Sequence, residues 1–242
     1  MAVLDAVSRV YREAGARATT GVSVIVPALN EAEALPETLA SLARQSVPPL
    51  EVLVVDGGST DDTAGAASRC GARVLHAPAG RGRQLHAGAL ASRGSVFLFL
   101  HADTRLPPDG IRDVLCASRS AAGGKFRLAY DRRHPLLRAV AHVSRYPWAW
   151  TSYGDSAFFA TRAAYERIGG FEDVPLFEDV RFYRQLRGAG RVAVLPSPVV
   201  SSSRRFLRRG PARQLLANAA LVLLHRLGVP PAKLARFYAP EP

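Results

Sequence analysis

Several acidic and basic residues stand where a chain can do chemistry. The apolar run Val96 to Leu100 stops abruptly at His101-Ala102-Asp103-Thr104 and then meets Pro107 and Pro108. A second apolar run, LVVD, ends on Asp56 and is followed by Gly57-Gly58-Ser59. A third, VIV, exits through Pro27, Ala28, Asn30 and Glu31, and GRGRQLHAG sets Arg81 and Arg83 at the start of a helical stretch. In the second half, Glu178 and Asp179 precede another. In open α/β sheets, ligands collect at the carboxyl ends of the strands. Carboxylates there can hold a cation or take a proton, while arginines and a helix N-terminus hold an anion. Any one of these acids could instead be a polar strand exit or a turn cap.

The elements that must position these residues follow from pattern. VSVIV (22–26), EVLVVD (51–56), ARVLHAP and SVFLFL (95–100) read as buried strands. Helical stretches separate them: Leu35, Leu39 and Leu42 share a helix face, and 82–92 reads as a helix. Between the second and third strands, Ser59 or Thr60 is expected to cap a helix with Asp61 and Asp62 in its first turn. Continuous apolar strands alternating with helices imply a parallel sheet covered on both faces. The second half is mixed. It offers a strand at GGKFRLAYD, a helix over HPLLRAVAHVSRYPWAW, and a strand and helix with a Gly-Gly stop in SAFFATRAAYERIGGF. A helix over EDVRFYRQLRGAG should close at Gly188, VAVLP and PVVSSS read as short strands, and a helical tail follows from PARQLL.

With 242 residues, 48% hydrophobic and 21% charged, the chain suits a globular domain. Its net charge of +12 comes almost entirely from arginine and favours phosphates, anionic lipid or nucleic acid. Cys70 and Cys116 show no metal spacing and are expected to be buried thiols of an intracellular protein. The first twenty residues carry Asp5 and Glu13 and do not read as a secretory signal. The most apolar stretch, 215–227, is too short to span a bilayer and contains Asn218 and His225.

The order and spacing of VIVPALNEAEALPETLASL, LVVDGGSTDDT, GRGRQLHAGA, FLHADT, YGDSAFF, GGFEDVPLFEDVRFYRQLR and SSSRRFLRRG resemble the family-2 glycosyltransferases of the GT-A fold, from about residue 22 to about 210. Within them the chain is most similar to a small bacterial subgroup, the radical-SAM-associated or arsenosugar-biosynthesis-type glycosyltransferases. The resemblance implies an α/β fold with a Rossmann-like, mostly parallel central sheet. It also implies one domain over 1–242: a nucleotide-sugar half at about 22–103, an acceptor and catalytic half at about 104–210, and a helical tail at 211–242. His101-Ala102-Asp103 then matches the family's Asp-x-Asp motif, with His101 in place of the first acid. Asp103 would bind Mg²⁺ or Mn²⁺ on the diphosphate of a nucleotide sugar, UDP-linked by expectation.

By the same likeness, Pro27, Ala28, Asn30 and Glu31 lie against the nucleoside. Asp56 with Gly57 meets the base, Arg83 faces the diphosphate, and Arg81 either joins it or is a solvated charge. Gly154 and Asp155 shape the sugar pocket, and Arg204-Arg205 stand near a basic-aromatic motif whose usual tryptophan is Phe206 here. Asp179, or its neighbour Glu178, is the implied base of an inverting transfer. Trp148, Trp150 and Tyr153 could stack on a sugar or belong to the core.

Two other classes compete with this expectation. A GT-A-like nucleotidyltransferase would carry a Gly-rich basic loop after the first strand, where PALNEAEALP stands. A non-catalytic basic protein on nucleic acid or membrane would fit the charge, but phosphates would meet Asp56, Asp103 and Asp179 unshielded, so nucleic acid is not expected. The acceptor is expected to be a small molecule or a lipid. The protein is expected in the cytoplasm, with the leucines and arginines of the tail resting on the inner face of a membrane or forming a homodimer contact.

Overall fold

The structure is a computed structural model that describes residues 19–148 and 154–237. The chain forms an eight-stranded sheet in the order β3-β2-β1-β4-β7-β6-β8-β5. The first four strands are β1 (Thr19–Ala28), β2 (Glu51–Asp56), β3 (Arg73–His76) and β4 (Gly94–Phe99). All their mutual pairings are parallel, and helices α1 (Leu35–Ala43), α2 (Thr63–Arg69) and α3 (Arg81–Ala91) connect them. After β5 (Thr104–Arg105) come α4 (Gly110–Ser118), β6 (Gly123–Tyr130), α5 (Pro135–Val143), β7 (Phe158–Thr161) and α6 (Arg162–Ile168). The chain continues through α7 (Glu178–Ala189), β8 (Val192–Ser201), α8 (Arg204–Arg209), α9 (Pro211–Arg226) and α10 (Pro231–Leu234). β7 runs antiparallel to β4 and β6, whereas β8 runs parallel to β6 and antiparallel to β5.

The central strands are apolar on both sides because both faces are covered. Val22, Val24 and Val26 of β1 and Val96 and Leu98 of β4 pack on one side with Leu35, Leu39 and Leu42 of α1 and with Ile111 and Val114 of α4. Ile25, Phe97 and Phe99 point the other way, into Leu85 of α3, Tyr165 of α6 and Phe182 of α7. Phe171 stacks on Phe182 at 4.1 Å and meets Phe99 edge-on at 4.9 Å. Such pairs add about 1 kcal/mol each beyond the area they bury.

One glycine bears directly on the site. A Cβ at Gly82 would stand 2.5 Å from the Glu172 carbonyl oxygen and 3.4 Å from the Glu178 Cβ. Its absence lets the start of α3 meet the start of α7.

Five expectations need correction. α2 begins at Thr63 with Asp62 at its cap, because Ser59, Thr60 and Asp61 are spent tying the loop to residues 30–32. α7 runs through Gly188 to Ala189, with Gly190 at its cap. VAVLP and PVVSSS form one ten-residue strand, whose prolines are accommodated where the β6–β8 register shifts between Phe126 and Arg127. α5 ends at Val143, ahead of Pro147, which disfavours helix before it; Trp150 and Tyr153 lie outside the described residues. Cys70 and Cys116 are free and exposed, not buried. Among the described residues, no helix is long and apolar enough to cross a membrane.

Candidate active site

A cleft of about 590 Å³ opens at the carboxyl ends of β1 and β4. Of the residues singled out from sequence, it brings together Pro27, Glu31, Arg81, His101, Ala102, Asp103, Asp155, Asp179, Arg204 and Arg205. Asp103 arrives on the exit of β4. Its main-chain carbonyl accepts from the Ser202 N–H at 3.1 Å, joining this loop to the segment that carries the two arginines. Asp155 comes from the short 3-10 turn Gly154–Ser156, and Asp179 from the first turn of α7.

The charges are unevenly matched. Partial burial pushes the Asp103 carboxyl above the usual carboxylate range; Asp155 adds to this, while His101 and Arg204 oppose it. For Asp155, burial is outweighed by the hydrogen bond and charge of His101, with Arg81 and Arg205 adding to them, so its carboxyl lies below that range. The His101 Nδ1 to Asp155 Oδ1 distance is 3.3 Å. Glu178, 2% exposed, is paired with Arg81, which leaves Asp179 as the member of the acidic pair that lines the cleft. The Arg204 Nη2 lies 3.2 Å from the Glu31 Oε2.

A second group of predicted residues lies beside this lining, at the strand ends. The Asp56 carboxylate, buried, accepts from the N–H groups of Gly58 and Ser59 and from the Ser59 hydroxyl, with the His76 Nδ1 at 3.4 Å. Asn30 accepts from the Thr60 N–H at 2.8 Å, and the Gly57 N–H donates to the Ala28 carbonyl at 2.9 Å. Arg83 points outward to Asp173 at 2.7 Å, and both are exposed. Gln84 is structural, donating to the carbonyls of Ala28 and Val55. His86, half-buried, meets the hydroxyl of the buried Tyr165 at 3.1 Å.

Among the cleft residues that were not foreseen, two bear on the geometry of the charged end. Tyr130 ends β6 and lines the cleft. Burial, and then the charges of Asp155 and Asp103, hold its phenol well above the usual tyrosine range, so it stays a neutral hydroxyl. It closes a mixed strand, GGKFRLAY, that already carries Lys125 and Arg127, so no sudden change of character marked it in the sequence. Phe177 caps α7 in the left-handed region at φ 66°, and nothing in a phenylalanine announces that. Among the described residues, the non-glycine positions with positive φ are Asn30, Ala157 and Phe177. They precede Glu31, follow Asp155–Ser156 and precede Glu178–Asp179. Each costs on the order of 1 kcal/mol, and each turns the chain where it must deliver a side chain to the cleft.

The residues fit a divalent cation on one condition. Asp103 offers a partly buried carboxyl whose charged form is disfavoured, which a cation would relieve. Among the described residues, however, no group of three or more His, Cys, Asp or Glu is placed to hold a metal. Further oxygens would have to come from water, main-chain carbonyls or a bound ligand.

The fold is that of the GT-A glycosyltransferases. Residues 23–119 match the family described as Glycosyl transferase family 2. An uncharacterized glycosyltransferase of Mycobacterium tuberculosis is 34% identical over 132 residues, covering 54% of this chain and 54% of that one. The chain thus spans about half the length of that relative. The mannosyltransferase PcManGT from Pyrobaculum calidifontis, solved with GDP-Man and Mn²⁺, superposes with a TM-score of 0.62 at 22% identity, covering 92% of this chain and 70% of that one. TarS 1-349 of S. aureus, in complex with UDP-GlcNAc, gives 0.62 at 20%, covering 76% and 58%.

Proposed function

We propose that this protein is a glycosyltransferase that moves a sugar from a nucleotide diphosphate to an acceptor hydroxyl with inversion. The family-2 match over 23–119 and the glycosyltransferase relatives support the class. The observation that carries the reading is the meeting of Asp103, Asp155 and Asp179 with Arg81, Arg204 and Arg205 in one cleft at the strand ends. In this reading the acceptor oxygen attacks the anomeric carbon and its proton passes to Asp179. The bond from that carbon to the diphosphate breaks, and its electrons leave with the nucleotide. Arg204 and Arg205 lie where they can offset the charge developing on the departing phosphate. Asp103 would hold a divalent cation together with the diphosphate, and such a cation would neutralise the same charge when bound. That TarS binds UDP-GlcNAc and PcManGT binds GDP-Man and Mn²⁺ supports a nucleotide-sugar donor and a divalent ion; UDP remains our first choice.

The same proposal takes the chain as one domain, with a donor half at about 22–103, an acceptor half at 104–210 and a helical tail at 211–242. It keeps the arsenosugar-type subgroup as the narrower likeness. It places the protein in the cytoplasm, with the tail against the inner face of a membrane. Leu216, Leu223 and Leu227 are exposed along α9 and just past it, beside Arg213 and Arg226. This arrangement supports membrane contact.

The test is thermal unfolding against UDP-, GDP- and dTDP-sugars, with and without Mn²⁺ and Mg²⁺. A ligand at 100 times its dissociation constant adds about 2.7 kcal/mol of stability. A cation-dependent rise with one nucleotide, lost in Asp103→Ala, is expected. No rise with any donor would end the proposal.

A further inference from the structure

The cleft continues past the charged residues into a space with a different chemistry. Leu136, Val140 and Val143 recur at helical spacing along α5, and Leu215, Ala219 and Val222 recur the same way along α9. Each set therefore forms one helix face, and the two faces line the same cavity without filling it. Leu136 and Val143 keep 38% and 37% of their surface open. The polar side chains on this side are few, and their recorded bonds stay within the wall. Gln214 donates to Asn218 at 2.8 Å, while the Ser144 hydroxyl donates to the Ala141 carbonyl and accepts from the Leu128 N–H. A sugar or other many-hydroxyl acceptor lying here would exchange water for mostly apolar walls and leave most of its hydroxyls without partners, which disfavours it. An apolar chain meets no such obstacle. The charged end of the same cavity carries Asp179.

We propose, building on the transferase reading above, that the acceptor is an amphiphile. Its hydroxyl faces Asp179, and its apolar chain or ring system lies between α5 and α9. The transfer is the one already written: the acceptor oxygen bonds to the anomeric carbon, its proton goes to Asp179, and the nucleoside diphosphate leaves with the electrons of the broken bond. The apolar walls supply affinity for the chain and set its direction, so that the hydroxyl end reaches the carboxylates.

The probe is a series of linear 1-alkanols from hexanol to dodecanol, displacing anilinonaphthalene sulfonate from the intact protein. Affinity is expected to rise roughly fourfold per added methylene. Ala139→Trp on α5 and Ala219→Trp on α9 both start from exposed positions in the cleft wall, so the added ring fills the cleft rather than the core. Each is expected to weaken alkanol binding at least tenfold while nucleotide-sugar stabilisation is retained. Leu216→Glu, 71% exposed and outside the cleft lining, should leave alkanol binding unchanged.

Affinity flat with chain length in the unmutated protein, or alkanol binding untouched by both tryptophans, overturns the proposal. So does binding lost in Leu216→Glu alone, which would place the probe on the outer surface. The two readings fail separately. Nucleotide-sugar stabilisation without alkanol binding sinks the amphiphile and leaves the transferase. Alkanol binding without any nucleotide effect sinks the transferase and the acceptor role with it.

Discussion

The β1–β2 strand ends beside the cleft and the α5–α9 end of the cleft itself are built on opposite principles. At the β1–β2 end, nearly every polar side chain is already bonded to the chain around it. Asp56 holds Gly58 and Ser59, Asn30 holds Thr60, Asp61 holds Ala32 and Thr63, and Gln84 ties two strand ends together. At the α5–α9 end, two apolar helix faces look at each other across open space. The first end is preorganised by hydrogen bonds, so a ligand finds fixed geometry and little ordering is left to do. The second offers area without direction, which selects by shape and hydrophobicity. A transferase that holds one fixed donor and accepts variable chains would need this division.

The contrast can be broken by substitution. The largest effect is expected from Asp179→Asn: about a thousandfold loss of transfer rate, with donor stabilisation retained, read by product formation and thermal shift. A loss of donor binding instead would move Asp179 out of the proton-transfer role. Next is Arg81→Ala, which strands the buried Glu178 carboxylate. Because Arg81 is itself partly exposed, a cost of roughly 2 to 3 kcal/mol is expected in denaturant unfolding. An unchanged midpoint would mean that the pair adds nothing to stability.

Lys125 gives a third, pH-dependent effect. It is 0% exposed, its Nζ has no hydrogen-bond partner among the described residues, and burial lowers its pKa from 10.5 to about 8. The folded chain therefore releases this proton near pH 8 and the unfolded chain near 10.5, so the contribution to stability rises with pH across that window. Lys125→Met should stabilise the protein by about 2 kcal/mol at pH 7, a gain that disappears toward pH 10.5. A pH-independent gain would assign the effect to packing. The smallest effect is expected for Arg83→Ala. Its exposed pair with Asp173 should leave the unfolding midpoint unmoved, and weaker donor binding in that variant would still mark it as a diphosphate contact.

The first hundred residues were legible because parallel strands buried on both faces leave long apolar runs, and their exits stand out as sudden polar residues such as Asp56 and Asp103. The second half was less so. Val192–Ser201 read as two strands because Pro196 and Pro198 normally break a ladder, and only the partner strand's register shift shows how they are tolerated. Asp179 could be named from its place before a helix, but the Arg81–Glu178 pair that separates it from its neighbour joins elements 97 residues apart. The apolar cleft was invisible for a similar reason. Leu136 and Leu215 each look like ordinary core leucines, and that they face one another unfilled is a property of tertiary packing.

The two exposed thiols have a practical bearing on assembly. Cys70 ends α2 and Cys116 lies in α4, both free and neither in the cleft lining. In air, surface thiols of separate molecules couple to disulfides. A preparation stored without reductant will accumulate covalent pairs that sediment and elute as dimers whatever the tail does. Only the mass measured under reducing conditions, or in a Cys70→Ser, Cys116→Ser chain, bears on self-association through α9, and the same two sulfurs offer attachment points for dyes that leave the cleft untouched.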